Sequence, residues 1–391
     1  MTDVVIAGIG QTPVSELWGK SLRELALEAI VAAALDAGGL QPQALFVGNM
    51  LAPQLSHQAH LGALLADFAG LTGIEAATLE AAGASGGAAL RAGFMAVASG
   101  QVDVALVVGV EKFSDQVGAP VEAAIATASD SDFEAVQGLT PTAQAALLMR
   151  RYLHEYNLPR EIFAGFPLIA HANGAGNPNA MFRKAISAEA YHTAGLVSDP
   201  LNMFDVAPNA DGASALILTR PELLPPQFPH RLVRVAGSSM VSDRLALHDR
   251  ANPMDFQAVR QSVQRACEKA HISPLQIDLF ELYDAYSIYA VLTLEAAGFA
   301  GRGQGWQLAV NQDGVSAISL NGSLPISTLG GLKARGNPGG ATGVYQCVEA
   351  VLQLRGQAGK NQVPDAHRAM IQCLGGPAST AITHILEAGD S

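Results

Sequence analysis

Glu80-Ala81-Ala82-Gly83-Ala84-Ser85-Gly86-Gly87-Ala88-Ala89-Leu90-Arg91 is the stretch on which the fold turns. Before it, Thr78–Ala82 reads as a strand. After it, Ala88–Ser99 reads as a helix of small residues, so the glycines form a tight strand-to-helix turn. Such a turn leaves unpaired backbone N–H groups at the helix start, where they can bind an anion or stabilise an oxyanion. A nucleophile placed there would have its pKa lowered. The same residues match Gly-x-Ser-x-Gly, the elbow of serine hydrolases, with Ser85 as nucleophile. They also fit small residues that simply let two helices pack closely. All three readings stand at this point.

Outward from the turn, strand and helix periods alternate. Val4–Ile9 is apolar and β-rich, and Leu22, Leu25, Ala26, Ile30, Ala33, Ala34 and Ala37 share one helical face. Phe46–Met50 reads as a strand, Gln58–Leu71 as a helix and Val102–Val110 as a buried strand. The order recurs later. Arg231–Val241 is strand-like, Phe256–Ala270 an amphipathic helix, Ile277–Leu282 a strand, and Tyr286 to Ala297 a helix. Ser316–Leu320 reads as a strand, Val344–Leu354 as a helix, and Ala369–Leu374 with Thr380–Leu386 as paired strands. Two β-α-β-α-β-α-β halves imply an internal duplication with sheets packing helices between and around them. The proline-rich stretch Arg220–Arg231 suits a connection between halves. From Glu111 to Pro208 the pattern is irregular and polar, as expected of a loop domain inserted over a site.

Composition narrows the function classes. The chain has 391 residues, enough to bury a large core in two or three packed units. No apolar run is long enough to span a membrane. The start, Met1-Thr2-Asp3, leads into an apolar strand without a basic segment, so no export signal is expected and a cytoplasmic location is. Lys and Arg number 23 against 35 Asp and Glu, a net charge of −12, which disfavours nonspecific nucleic-acid binding. Cys267, Cys347 and Cys373 are widely spaced, which argues against a disulfide scaffold or a metal cluster.

Three further stretches carry chemistry-bearing residues. Gly330 to Gly343 is glycine-rich but lacks the Gly-Lys-Ser/Thr ending of a phosphate-binding loop. In Cys373-Leu374-Gly375-Gly376-Pro377 a strand ends in glycines that let backbone approach a ligand. Glu281-Leu282-Tyr283-Asp284-Ala285-Tyr286 gathers polar groups at a strand-to-helix junction. For each, a structural role competes with a functional one: a lone cysteine on an apolar strand is commonly core.

Taken together and in order, these stretches resemble the thiolase family over essentially the whole chain. Val47-Gly48-Asn49-Met50, Glu80–Arg91, Val110-Glu111-Lys112, His171-Ala172-Asn173-Gly174, Gly331–Gly343 and Cys373-Leu374-Gly375-Gly376 all fit. The nearest resemblance is to archaeal and bacterial acetyl-CoA acetyltransferases related to the sterol-carrier thiolases. It implies an α/β thiolase fold, two pseudo-symmetric βαβαβαββ halves in a layered αβαβα core with a loop domain. The halves would comprise residues 1–111 with 208–225, and 226–391, with the loop domain at 112–207.

The resemblance also implies a site, and there the chain departs from the family. Gly83 stands where the nucleophilic cysteine would be, Asn337 where a histidine would activate it, and Tyr283 where an asparagine or histidine would bind the thioester oxygen. Cys373 matches the second cysteine, an acid/base at the substrate α-carbon. The backbone N–H groups of Gly83 and Gly375 match one oxyanion hole, and Asn337 with Tyr283 would supply the other. Ala207 replaces a serine that touches pantetheine, while Arg183 and Lys184 are candidates for the coenzyme A phosphates. The expectation is carbon–carbon bond chemistry on a coenzyme A thioester through an enolate, aldol, retro-aldol or decarboxylating, with no acyl-cysteine and no permanently bound cofactor. The alternatives are a noncatalytic subunit of a larger complex, or acyl transfer by an unusual nucleophile such as Ser85. A homodimer or tetramer is implied, with a small OB-fold, zinc-ribbon protein as a further partner.

Overall fold

The computed structural model describes residues 3–311 and 315–389. In the first half, β1 (Val5–Gln11), α1 (Leu22–Asp36), β2 (Ala44–Gly48), α2 (Ala52–Leu55) and α3 (Leu61–Phe68) lead to β3 (Glu75–Leu79), α4 (Ser85–Ala98) and β4 (Val104–Glu111). Next come α5 (Ala119–Ala126), α6 (Pro141–Tyr156), α7 (Gly165–Gly174), α8 (Ala188–Thr193) and a small ribbon of β5 (Leu196–Ser198) with β6 (Leu201–Asn202). Then β7 (Gly212–Thr219) returns to the sheet. The second half holds β8 (Val233–Ser242), α9 (Gln257–Ala270), β9 (Leu279–Glu281), α10 (Ser287–Ala296), α11 (Thr342–Leu354), β10 (Arg368–Gly375) and β11 (Thr380–Ala388).

The duplication is visible in strand order. The sheet runs β3-β2-β4-β7-β1-β8-β11-β10-β9, so β8, β9, β10 and β11 take the places of β1, β2, β4 and β7 in mirrored sequence about the β1–β8 junction. Pairing directions repeat as well. The β2–β4 and β9–β10 pairs are parallel, whereas β7 and β11 run antiparallel to both of their neighbours. At the junction, Val235 N–H donates to Val4 O at 2.9 Å.

Three expectations need correcting. Ser316–Leu320 is a series of turns rather than a strand. The counterpart of β3 is reduced to one parallel bridge between Phe280 and Ile326. The polar stretch between β4 and β7 is substantially helical. Its longest helix, α6, starts where Thr140 caps Ala143 N–H at 3.2 Å with Pro141 in the first turn, a start signal legible in the chain. Finally, β7 was not among the expected strands: all eight of its residues are buried, so it lacks the alternation that marks a half-exposed strand.

Local sequence explains the layers. Ser21 and Glu24 form a capping box that starts α1, whose buried face joins α3 against one side of the first half's strands. On the other side, α4 and α11 lie together: Leu90 and Val97 share a core with Val344, Val348 and Val351, between Val107 and Leu216 of one half and Ile371 and Ile382 of the other. A third apolar cluster joins α9, α10 and α6 beyond the second half.

One buried polar contact ties α4 in place. His384 on β11 is fully buried, with Nε2 3.1 Å from Gly87 O. Burial lowers its imidazole pKa to about 4, and the Arg91 charge adds to that effect. An unfolded histidine titrates near 6.5, so between those values the unfolded chain binds more protons and stability rises with pH. Stability should therefore be intact above about pH 6.5 and fall toward pH 4, by up to about 1.4 kcal/mol per pH unit from this group. Unfolding midpoints measured across that range should show a shallower slope in His384→Gln than in the parent; equal slopes would remove His384 as the cause.

Candidate active site

A cavity of about 400 Å³ opens where the two halves meet the insertion. Gly83 and Ala82 line it from the turn before α4, and Asn337 and Gly339 from the glycine-rich segment before α11. Ala285 and three tyrosines, Tyr283, Tyr286 and Tyr289, come from the β9–α10 junction. Val206, Ala207 and Asn209 contribute from the approach to β7, and the insertion adds Glu122, Thr142 and Val197 among others.

The turn before α4 is tightly specified. Ala82 holds a left-handed backbone, φ +50°, which costs an alanine roughly 1–2 kcal/mol. Gly83 follows with no room for a side chain. A Cβ there would run into the Tyr283 hydroxyl, with the tyrosine Cζ and Leu374 O each 2.8 Å away. The tyrosine thus occupies the volume that any side chain at position 83 would need. Ser85 is fully buried and turned inward, its Oγ donating to Ala82 O at 2.6 Å and accepting from Ala81 N–H at 2.9 Å. It is not a cavity wall, so the elbow reading with Ser85 as nucleophile finds no support in its placement.

Asn337 is held on both backbone sides. Its N–H donates to Pro208 O at 2.8 Å, and Ala210 N–H donates to its carbonyl at 3.1 Å. Its Oδ1 accepts from Gly339 N–H (3.2 Å) and Thr342 Oγ1 (3.3 Å). With the oxygen engaged, the amide nitrogen is the end left to donate, and Asn337 and Tyr283 both line the cavity. The preceding π-turn, Gly331–Arg335, is anchored by the fully buried Arg335–Glu349 pair at 2.7 Å. Glu111 closes the far side. It accepts from Met50, Leu51 and Gly340 N–H and from Asn49 Nδ2, all within 3.1 Å. Burial raises its pKa to about 7 against those bonds.

Protonation follows from burial. Tyr283 has its pKa pushed up by burial first, then by Tyr286 and Cys373, with the Asn337 amide pulling the other way. Tyr286, hydrogen-bonded to Thr142 Oγ1 at 3.0 Å, is raised to about 12. Near neutrality both are phenols, donors rather than standing bases.

Of the residues expected from sequence, the structure brings together Gly83, Asn337, Tyr283 and Ala207. Others lie elsewhere. Cys373 is fully buried beneath α4 and α11, its thiol bonded to Gln346 Oε1 (3.3 Å) and raised to about 12 by burial; it is not a cavity wall. Gly375 pairs with Thr380 in the sheet, and its neighbour Gly376 lines the cavity instead. Arg183 and Lys184 are exposed and away from the lining. Sequence reasoning missed Tyr289, Asn209, Thr142 and Glu122. The spacing of Tyr283, Tyr286 and Tyr289, three apart each time, was the available signal. Among the described residues, no group of three or more His, Cys, Asp or Glu is arranged to hold a metal, and no helix is long and apolar enough to cross a membrane.

Mirrored halves of this order, with a cavity at the start of a helix buried between them, define a thiolase-fold protein. The chain belongs to the thiolase family: residues 4–222 match the thiolase N-terminal domain, and residues 239–388 the thiolase C-terminal domain-like family. It is 42% identical over 387 residues to the acetyl-CoA acetyltransferase of Methanothermobacter thermautotrophicus, covering 98% of this chain and 99% of that one. A benzoylsuccinyl-CoA thiolase subunit of Thauera aromatica is 30% identical over 382 residues, 95% of this chain and 94% of that one. Among solved structures, the Ltp2–ChsH2(DUF35) aldolase superposes with a TM-score of 0.81 at 26% identity, over 99% of this chain and 98% of that one.

The conflict between position 83 and Tyr283 is directly measurable. Gly83→Ala should lower the unfolding midpoint by an overpacking cost of about 1–3 kcal/mol. Combining it with Tyr283→Ala should recover part of that loss, a coupling of at least about 0.5 kcal/mol in a double-mutant cycle; additive effects would show that the two positions do not compete for space.

Proposed function

We propose that this protein cleaves or forms a carbon–carbon bond in a coenzyme A thioester through an enolate, in the retro-aldol or aldol sense, without an acyl-enzyme. The observation that carries the reading is the exchange at the turn before α4: glycine at position 83, and a tyrosine hydroxyl where a nucleophile's side chain would lie. Glycine has nothing to acylate. The thioester substrate follows from the acetyl-CoA acetyltransferase relative. The reaction direction is supported by the aldolase superposing along the whole chain.

In the cleavage direction the β-hydroxyl of a β-hydroxyacyl thioester loses its proton, its oxygen forms a carbonyl, and the Cα–Cβ electron pair passes to the thioester oxygen as an enolate. Protonation at Cα then yields a shortened acyl thioester, and a ketone or aldehyde leaves. No oxidant, water or cofactor enters the balance. Tyr283 and the Asn337 amide are neutral donors converging on one point of the wall, suited to the enolate oxygen; such donors often make the largest catalytic contribution. Because Tyr283 is a phenol at neutral pH, it acts as donor and as proton source. Glu122, the charged side chain of the lining, is the group able to accept the hydroxyl proton. Cys373 has no part in this scheme, since its thiol lies behind the wall. Self-association, and a second protein of the kind joined to Ltp2 in that aldolase, belong to the same reading.

Purified protein incubated with β-hydroxyacyl-CoA should release a carbonyl product with no acyl adduct detectable by intact mass. Tyr283→Phe should lower kcat by roughly 10²–10³-fold. An adduct on the chain would favour acyl transfer instead. Absent turnover with tight binding to another polypeptide would favour the noncatalytic subunit.

A further inference from the structure

Glu111 ends β4 and is fully buried, and among the described residues no cation pairs with it. Lys112, the next residue, is bound instead to Asp211 at 3.0 Å. The groups around the carboxylate are Asn49, Met50 and Leu51 from the end of β2 and the start of α2, Phe113 just after β4, and Gly339 and Gly340 before α11. None of them titrates.

Each carboxylate oxygen takes two donors. Oε2 accepts from Met50 N–H at 2.9 Å and Gly340 N–H at 3.0 Å; Oε1 accepts from Asn49 Nδ2 at 2.8 Å and Leu51 N–H at 3.1 Å. An ionised carboxylate only accepts and has about four sites for doing so, so all are in use. A proton on either oxygen would point at an N–H, and one of the four bonds must open.

Two of those donors belong to cavity walls. Met50 lines the cavity itself. Gly340 follows Gly339, a lining residue whose own N–H holds Asn337 Oδ1 at 3.2 Å. The two segments touch backbone to backbone: a Cβ on Gly340 would come within 2.6 Å of Met50 N.

We propose that Glu111 is a positioning residue for the site: as a carboxylate it clasps the Met50 and Gly340 backbones together, and as a neutral acid it lets the clasp open and loosens the seat of the Asn337 amide. The inference rests on the cavity being the thioester site proposed above and names its regulation by protons. Burial raises this carboxyl to about 7, so the clasp opens as pH falls through neutrality. Stability runs the other way. An unfolded glutamate titrates near about 4.3, so from there up to 7 the folded chain binds more protons, and the contribution of this group to stability falls as pH rises. Acid therefore firms the fold through Glu111 while it loosens the wall. A carboxylate that only held the fold together would move both in the same direction.

Amide hydrogen exchange, corrected for its intrinsic pH dependence, reads the clasp without any ligand. From pH 8 to pH 6 the parent should lose roughly 10-fold in protection over residues 49–51 and 339–343, relative to β7. Glu111→Gln should show low protection in those segments at both pH values. Over the same step the unfolding midpoint of the parent, taken relative to Glu111→Gln so that His384 contributes equally to both, should rise. Unchanged protection in the parent, or protection and relative midpoint falling together, would overturn the proposal. Should Glu111→Gln not fold, the protection of the parent decides alone. With β-hydroxyacyl-CoA, kcat of the parent should fall more steeply from pH 8 to pH 6 than that of Glu111→Gln; equal slopes would remove the positioning role. Falling protection without carbonyl release at either pH would instead sink the reaction proposed above and leave the clasp standing.

Discussion

The site depends on two helix starts meeting backbone to backbone. A Cβ on Gly86 would come within 2.9 Å of Gly340 O and Val344 N, and one on Gly87 within 2.8 Å of the Cys373 sulfur. A Cβ on Gly343 would meet that same sulfur at 2.7 Å. With no side chains between them, α4 and α11 come close enough for the turn before one and the glycine-rich segment before the other to form adjoining walls. His384 from below and Glu111 from the side fix that approach with hydrogen bonds to backbone. Any side chain at the crossing would push the walls apart and separate Gly83 from Asn337.

Within that frame, Gly83 and Tyr283 behave as one unit. The space by the helix start holds either a side chain on the turn or a phenol from the β9–α10 junction, and here the phenol has it. The chemical character of the wall changes accordingly. A helix start favours an anionic nucleophile. A buried phenol, with its pKa raised, is a neutral donor. The site is thereby suited to receiving negative charge that develops on a ligand rather than to supplying it.

The charges nearby serve the scaffold. Arg335 with Glu349, and Lys333 with the Asp284 and Asp205 region, are buried behind the wall. Asp284 accepts from Leu332 N–H at 2.7 Å and from Ser327 Oγ at 3.2 Å. Removing one member of a buried pair costs far more than the pair itself contributes, so these groups lock the π-turn and with it the position of Asn337. With these charges paired in the frame, the cavity is lined by apolar and neutral polar residues, with Glu122 at its exposed side as the charged wall among the described residues.

What the amino-acid order determined by itself was the sequence of elements and their duplication. Apolar periods mark α1, α9 and most of the strands, and glycine clusters mark the turns where backbone must pass close to backbone. The resemblance of those motifs to the thiolase family implied that Gly83, Asn337 and Tyr283 are where this chain departs from its pattern. Tertiary structure decided the rest. Strand β7 is buried on every residue and so carries no period. Helix α6 of the insertion buries Leu148, Met149 and Tyr152 in the apolar cluster it shares with α9 and α10, partners that lie far away in the chain. Whether Cys373 faced the ligand or the core depended on which side of β10 met α11, a choice that alternation along a strand leaves to its neighbours. That Tyr283 fills the place beside Gly83 was equally beyond the sequence: the two lie 200 residues apart in the chain, and only the packing of the two halves brings the hydroxyl to the glycine.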